Sequence, residues 1–168
     1  MSVEFLVTRN VKSPQRNPKE NAGIDLFIPE KDSFTEEELK TFGLDVLIEG
    51  NNITIPAHKS IIIPAGIKSK FPSNIALIAF NKSGVAIKYQ LVCGAQVIDT
   101  SYQGEWHINL INTSDSDKVI TFGQKITQFV PVVIDDNEIV VHRGISESEF
   151  FTETTSRGAG WAGSTGTK

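Results

Sequence analysis

Cysteine is almost absent. Cys93 stands alone among 168 residues, which excludes an internal disulfide framework and any zinc site built from several cysteines. His58, His107 and His142 are too scattered to suggest a zinc site either. No window approaches the roughly 18 consecutive apolar residues of a membrane-spanning helix, so no membrane partner is expected. A basic surplus is missing as well. Sixteen Lys and Arg stand against twenty Asp and Glu, for a net charge of -4. A protein that neutralises many nucleic-acid phosphates carries a basic balance or a basic run, so no nucleic-acid partner is expected. A small anionic ligand is compatible with this charge, because a few placed cations and backbone amides can hold a phosphate. The opening Met1-Ser2-Val3-Glu4 has an acid where a signal peptide has a basic n-region. The expected setting is therefore cytoplasmic, or host cytoplasm for a viral source.

What is present reads as globular, at 39% hydrophobic and 21% charged residues, with enough chain for one core. Short runs rich in Ile, Val and Phe predict strands at 4–8, 24–28, 53–55, 59–63, 75–80, 105–112, 118–122, 126–134 and 138–141, punctuated by Gly, Pro, Asn and Asp. Such spacing predicts an antiparallel sandwich, jelly roll or barrel. Trp106 to Asn112 alternates as a strand with one buried face would, and Pro131 belongs at an edge or a bulge. One helix is predicted from Thr35-Glu36-Glu37-Glu38, a capping box with three acids in the first turn and a stop at Phe42-Gly43. A shorter helical turn follows Ser83-Gly84. From Thr152 the chain is nearly free of aliphatic side chains, yet Arg157 and Trp161 among the glycines suit a ligand-closing flap better than a spacer.

The familiar nucleotide motifs are missing. Gly158 and Gly163 have phosphate-loop spacing, but Ser164 stands where lysine is needed. Five other stretches carry the chemistry: A-G-I-D-L at 22–26, N-K-S-G-V-A at 81–86, G-A-Q-V-I-D-T-S-Y-Q-G at 94–104, G-Q-K-I-T-Q at 123–128 and R-G-A-G-W-A-G-S-T-G at 157–166. In order, spacing and residue type they resemble the five motifs of the trimeric dUTPases. Each is weak alone; five in order across nearly the whole chain are specific. The resemblance implies an all-β, distorted jelly-roll-like β-barrel over residues 1–151. An apparent insertion near 30–52 carries the helix, and a flexible glycine-rich arm follows at 152–168. It also implies a homotrimer whose active sites draw on all three subunits, with dUTP cleaved to dUMP and pyrophosphate and Mg2+ required.

The same resemblance assigns residues. Asp99, read as lying at a hairpin, would orient and deprotonate the attacking water, a role typically worth about 10² to 10⁴ in rate. Tyr102 would pack on the deoxyribose and exclude a 2′-hydroxyl. The backbone of Gln96, Val97, Ile98 and His107 would read uracil. Lys82 and Arg157 would counter the triphosphate charge, with Ser83, Gly84 and Gln128 as neutral donors, and Asp25 would steady Mg2+ through coordinated water. Three departures stand out. Gln96 replaces a common glycine, and Lys82 replaces an arginine, keeping the charge while losing the planar fork. In the arm, Trp161 and Ala162 fill the positions before and at the usual stacking phenylalanine, followed by Gly163 and Ser164. Trp161 is read as the lid over the base.

Two other readings belong beside this one. A dCTP deaminase shares the fold but carries a general-acid glutamate in an L-E pair where this chain has Leu110-Ile111. A non-catalytic trimeric interaction protein could use the acidic insertion for docking.

Overall fold

The computed structural model describes residues 2–17, 19–135, 137, 139–153 and 155. It divides into two compact units, Met1–Asp135 and Asp136–Lys168. The glycine-rich arm, with Arg157, Trp161, Ala162, Gly163 and Ser164, lies outside the described residues, Thr155 and the residues up to 153 excepted.

The first unit is built on twelve strands among the described residues. They are β1 (Glu4–Val7), β2 (Ile24–Phe27), β3 (Leu47–Glu49), β4 (Asn52–Ile55), β5 (Ser60–Pro64), β6 (Ile67–Lys70), β7 (Ile75–Asn81), β8 (Leu91–Cys93), β9 (Val97–Ile98), β10 (His107–Asn112), β11 (Lys118–Thr121) and β12 (Lys125–Val133). They form four small antiparallel sheets ordered β1-β6, β5-β10-β8, β11-β4-β3 and β2-β12-β7-β9. The all-β, jelly-roll-like expectation holds, but no single ladder closes into a barrel among the described residues. The strands that sequence patterning overlooked, β3, β6, β8 and β9, are two to four residues long. A period-2 pattern has little room in two or three residues, and the four-residue β6 has only Ile67 buried. The strand expected at 138–141 is absent at residues 139–141, and Glu138 lies outside the described residues.

Periodicity places the core. Along β10, Ile108, Leu110 and Asn112 are buried while His107 faces solvent. On β5, Ile61 and Ile63 point inward while Ile62 stays half exposed. Trp106 is fully buried, donates from Nε1 to Ser69 Oγ at 3.1 Å, and packs on Phe5 and Phe129 with centroids at 5.6 and 4.5 Å. Asn112 is one of three buried polar residues among those described, with Ser114 and Thr127, and it is satisfied. Its Nδ2 donates to the carbonyls of Ile55, Pro56 and Ser116, and its Oδ1 accepts from the Ser114 amide and hydroxyl. Such complete pairing removes the desolvation penalty of a buried amide.

The insertion is woven into that core. A short 3-10 turn (Lys31–Ser33) leads to α1 (Glu36–Lys40), whose Thr35 cap makes both halves of the predicted capping box. The helix ends at Thr41, and Phe42 dives inward to meet Phe34 and Phe122. Arg9 ties the parts together: it donates to Glu105 at 2.6 and 3.0 Å, to Glu38 at 2.7 Å and to the Ser33 carbonyl at 2.9 Å. That guanidinium and the Thr35 amide hold the Glu38 carboxyl down at about 2.

Pro131 sits where its missing amide is tolerated. β12 lies between β2 and β7, but β2 ends at Ile24 opposite Phe129. Beyond that point β12 is an edge strand on that side, with Pro131 level with Leu77 of β7. In the second unit, α3 (Glu147–Phe150) begins at a Ser146–Glu149 capping box that the sequence reading passed over.

Candidate active site

The four-stranded sheet β2-β12-β7-β9 carries the candidate residues at its two edges. At the β2 edge, Asp25 pairs in register with Gln128 of β12, and its backbone also bridges Gln15. Lys82 immediately precedes α2 (Ser83–Tyr89), the predicted second helical turn, in extended conformation. Its ammonium reaches back to Asp25 Oδ1 at 2.5 Å, and Lys125 takes Oδ2 at 2.9 Å. Burial of the Asp25 carboxyl works to raise its pKa. The hydrogen bonds and charges of the two lysines outweigh that and hold the group below its ordinary value. Two cations thus meet on one carboxylate, and Glu20 adds a second acid to the lining of the same cleft.

Asp25, Lys82, Lys125 and Gln128 line a cleft of about 320 Å³ with Gly23 and the 20–22 turn. A β-carbon at Gly23 would stand 2.4 Å from Gln128 Oε1, so any larger residue there would push the Gln128 amide out of place. Gln128 donates through Nε2 to the Asn81 carbonyl at 3.0 Å, which fixes its amide beside the lysines. Ser83 and Gly84 open α2 on the exposed surface, and open space surrounds the position of a Gly84 β-carbon.

Lys125 is the residue that sequence reasoning missed. It lies inside G-Q-K-I-T-Q, but strict alternation would put Lys125 and Gln128 on opposite faces. The register along β12 shifts between Lys125 and Thr127: Lys125 opposes Phe27 and Thr127 opposes Leu26. That bulge adds one residue, Ile126, and turns Lys125 onto the face shared by Asp25 and Gln128. Only the local sequence G-Q-K marks it as a turn-adjacent cation.

At the other edge, β9 pairs with β7 through Leu77–Ile98 and Ile78–Val97, not with β10. The segment around Asp99 is therefore a strand end followed by a turn, and it lies in the 94–106 connection between β8 and β10, which pair antiparallel as a wide hairpin. The β10 strand is instead claimed by β5 and β8. Asp99 is exposed, and its carboxyl has no hydrogen bond or ion pair among the described residues. Its backbone is anchored nonetheless. The Asp99 carbonyl accepts from the Tyr102 amide at 3.0 Å, and Thr100 Oγ1 donates to the Phe71 carbonyl at 2.9 Å. Tyr102 folds back over Gly104 and donates its hydroxyl to the Glu105 carbonyl at 2.8 Å. The Gln96 carbonyl is taken by the Ala79 amide at 2.7 Å, while Val97 and His107 face solvent.

One chain thus gathers Asp25, Lys82 and Gln128, with Ser83 next to Lys82, and separately gathers Gln96, Val97, Ile98, Asp99 and Tyr102. Three strand spacings, about 14 Å, separate the two edges. Asp25 is level with Phe80 through Gln128, whereas Ile98 is level with Leu77, so the offset also runs along β7. Among the described residues no cluster of three or more His, Cys, Asp or Glu could hold a metal by protein ligands alone.

Comparison with known proteins gives a consistent answer. The dUTPase family model matches residues 32–165. The deoxyuridine 5'-triphosphate nucleotidohydrolase of Yarrowia lipolytica is 30% identical over 166 residues, covering 99% of this chain and 88% of that protein. That of Glaesserella parasuis is 36% identical over 156 residues, covering 85% and 97%. Among solved structures, the dUTPase of Staphylococcus bacteriophage 80alpha with dUPNHPP superposes with a TM-score of 0.74 at 21% identity, covering 99% of both chains. The dUTPase of phage phi11 of S. aureus, whose structure details coordination of a structural Mg(II) ion, gives a TM-score of 0.65 at 21% identity, covering 88% and 100%.

Proposed function

The chain belongs to the dUTPase family, and from that premise we propose that it hydrolyses dUTP to dUMP and pyrophosphate, which limits uracil in DNA and supplies dUMP for dTMP synthesis. The observation that carries this reading is the pair of lysines gathered at Asp25 in the cleft, set against a bare, backbone-anchored Asp99. A triphosphate needs local positive charge in a chain of net charge -4, and Lys82 with Lys125 supplies it. A unit-charge pair at about 4 Å is worth about 4 kcal/mol at an effective dielectric of 20, before desolvation.

In this mechanism Gln128 and the α2 entrance, Ser83 and Gly84, donate to phosphate oxygens. Asp99 accepts a proton from the water that attacks the α-phosphorus, a task that suits a carboxylate with no competing partner. Tyr102 lies against the deoxyribose, and the main chain of Gln96, Val97, Ile98 and His107 faces the pyrimidine. Arg157, Trp161, Ala162, Gly163 and Ser164 close the cavity from the arm. Mg2+ suits the cleft as a cation held chiefly by phosphate oxygens and water. Both Asp25 oxygens accept from lysines, so the carboxylate would hold the ion through a coordinated water at a remaining lone pair rather than directly, and a hard cation that keeps its waters fits that donor set. When bound, it neutralises phosphate charge.

Asp25 and Asp99 lie at opposite edges of one sheet, which supports a site completed between chains, and so a homotrimer with shared active sites. Pyrophosphate release measured with dUTP, dCTP, dTTP and UTP tests the reading. We expect turnover of dUTP alone. Intact dUTP in the presence of magnesium, or ammonia released from dCTP, overturns it.

A further inference from the structure

The proposed function counts the charge of Lys125 but gives its side chain no contact to make. Lys125 stands 2.9 Å from Asp25 Oδ2 and is about half exposed, while Lys82 holds the other oxygen at 2.5 Å. Lys82 cannot give its full charge to a phosphate while it is bound to Asp25. If it leaves with no substitute present, the Asp25 carboxyl, only 19% exposed, is stranded beside the arriving anion. Losing the partner of a charged hydrogen bond is costly, because the remaining group keeps its desolvation penalty. The bulge at Ile126 turns a second cation onto the far oxygen of the same carboxylate.

We propose that Lys125 is a positioning residue: it keeps Asp25 paired and oriented through Oδ2, so that Lys82 is released from Oδ1 to meet the triphosphate. This rests on the reading of the cleft as a dUTP site. Lys125 acts through Asp25 and Lys82 and makes no phosphate contact of its own.

Binding of the non-hydrolysed analogue dUPNHPP, measured by calorimetry in EDTA, is the test, with KM and kcat for dUTP alongside. Lys125→Met should weaken analogue binding about tenfold and raise KM more than it lowers kcat, the size expected for one charged hydrogen bond. Lys125→Arg should restore binding. In a Lys82→Met background, Lys125→Met should add almost nothing, because no lysine remains to be released. Wild-type affinity in Lys125→Met overturns the inference. So does an additive loss in the double variant, which would mean a direct phosphate contact. Should Lys125→Met not fold, Lys125→Gln carries the same measurements. Wild-type protein that neither binds the analogue nor turns over dUTP instead defeats the functional reading beneath.

Discussion

The two edges of the β2-β12-β7-β9 sheet each present an aspartate, and the two are treated in opposite ways. Asp25 is mostly buried, clamped by two lysines and held ionised. Asp99 is exposed, with its backbone fixed and its carboxyl unengaged among the described residues. A carboxylate already paired with two cations can organise charge but is a poor proton acceptor. One that is free can accept a proton, provided the chain holds it in place. The contrast divides the labour: Asp25 arranges cations, and Asp99 is left for chemistry.

The harshest test of that division is Asp99→Asn. It should lower kcat for dUTP by about 10² to 10⁴, as loss of a general base does, while thermal unfolding stays unchanged because the carboxyl supports no contact. Unchanged turnover would break the comparison at once. Mixing comes next. Asp25→Asn and Asp99→Asn chains, each inactive alone, should recover about a quarter of wild-type turnover when co-expressed, if sites draw randomly on two different chains of a symmetric oligomer. No recovery would put both aspartates of a site in one chain.

Asp25→Asn alone should also cost stability, where Asp99→Asn does not. It leaves two ammonium groups facing a neutral amide, and urea unfolding should show a loss of about 1 to 3 kcal/mol. The pH dependence has a defined sign. Asp25 titrates below its ordinary value near 3.8, so its contribution is complete above that value and disappears as the pH falls through the depressed one. Acid unfolding curves of wild type and Asp25→Asn should therefore converge at the acid end. The smallest effect belongs to a site remote from both edges. Thr35→Ala removes the α1 cap, and should cost about 1 kcal/mol with kcat and KM unchanged.

Much of this was legible in the chain itself wherever the cause is local. The Thr35–Glu38 capping box needs only four consecutive residues, and it formed as read. Alternation along 106–112 placed Ile108 and Leu110 in the core, and five ordered motifs pointed to the family whose model matches residues 32–165. Of the strands that escaped notice, β3, β8 and β9 have two or three residues, too few to carry a pattern. The hairpin around Asp99 was legible but its pairing was not: β8 pairs with β10 across it while β9 adds to β7, a choice made by packing between distant segments.

The sequence alone determined the inventory of charges and polar groups, because residue type and local spacing are properties of the chain. Tertiary structure alone decided who meets whom. A single inserted residue at Ile126 turned Lys125 toward Asp25, since strand faces alternate and one extra residue reverses every side chain beyond it. Sheet order, likewise, sent Asp25 and Asp99 to opposite edges, because ladders are written by pairing across the fold and not by neighbours along it.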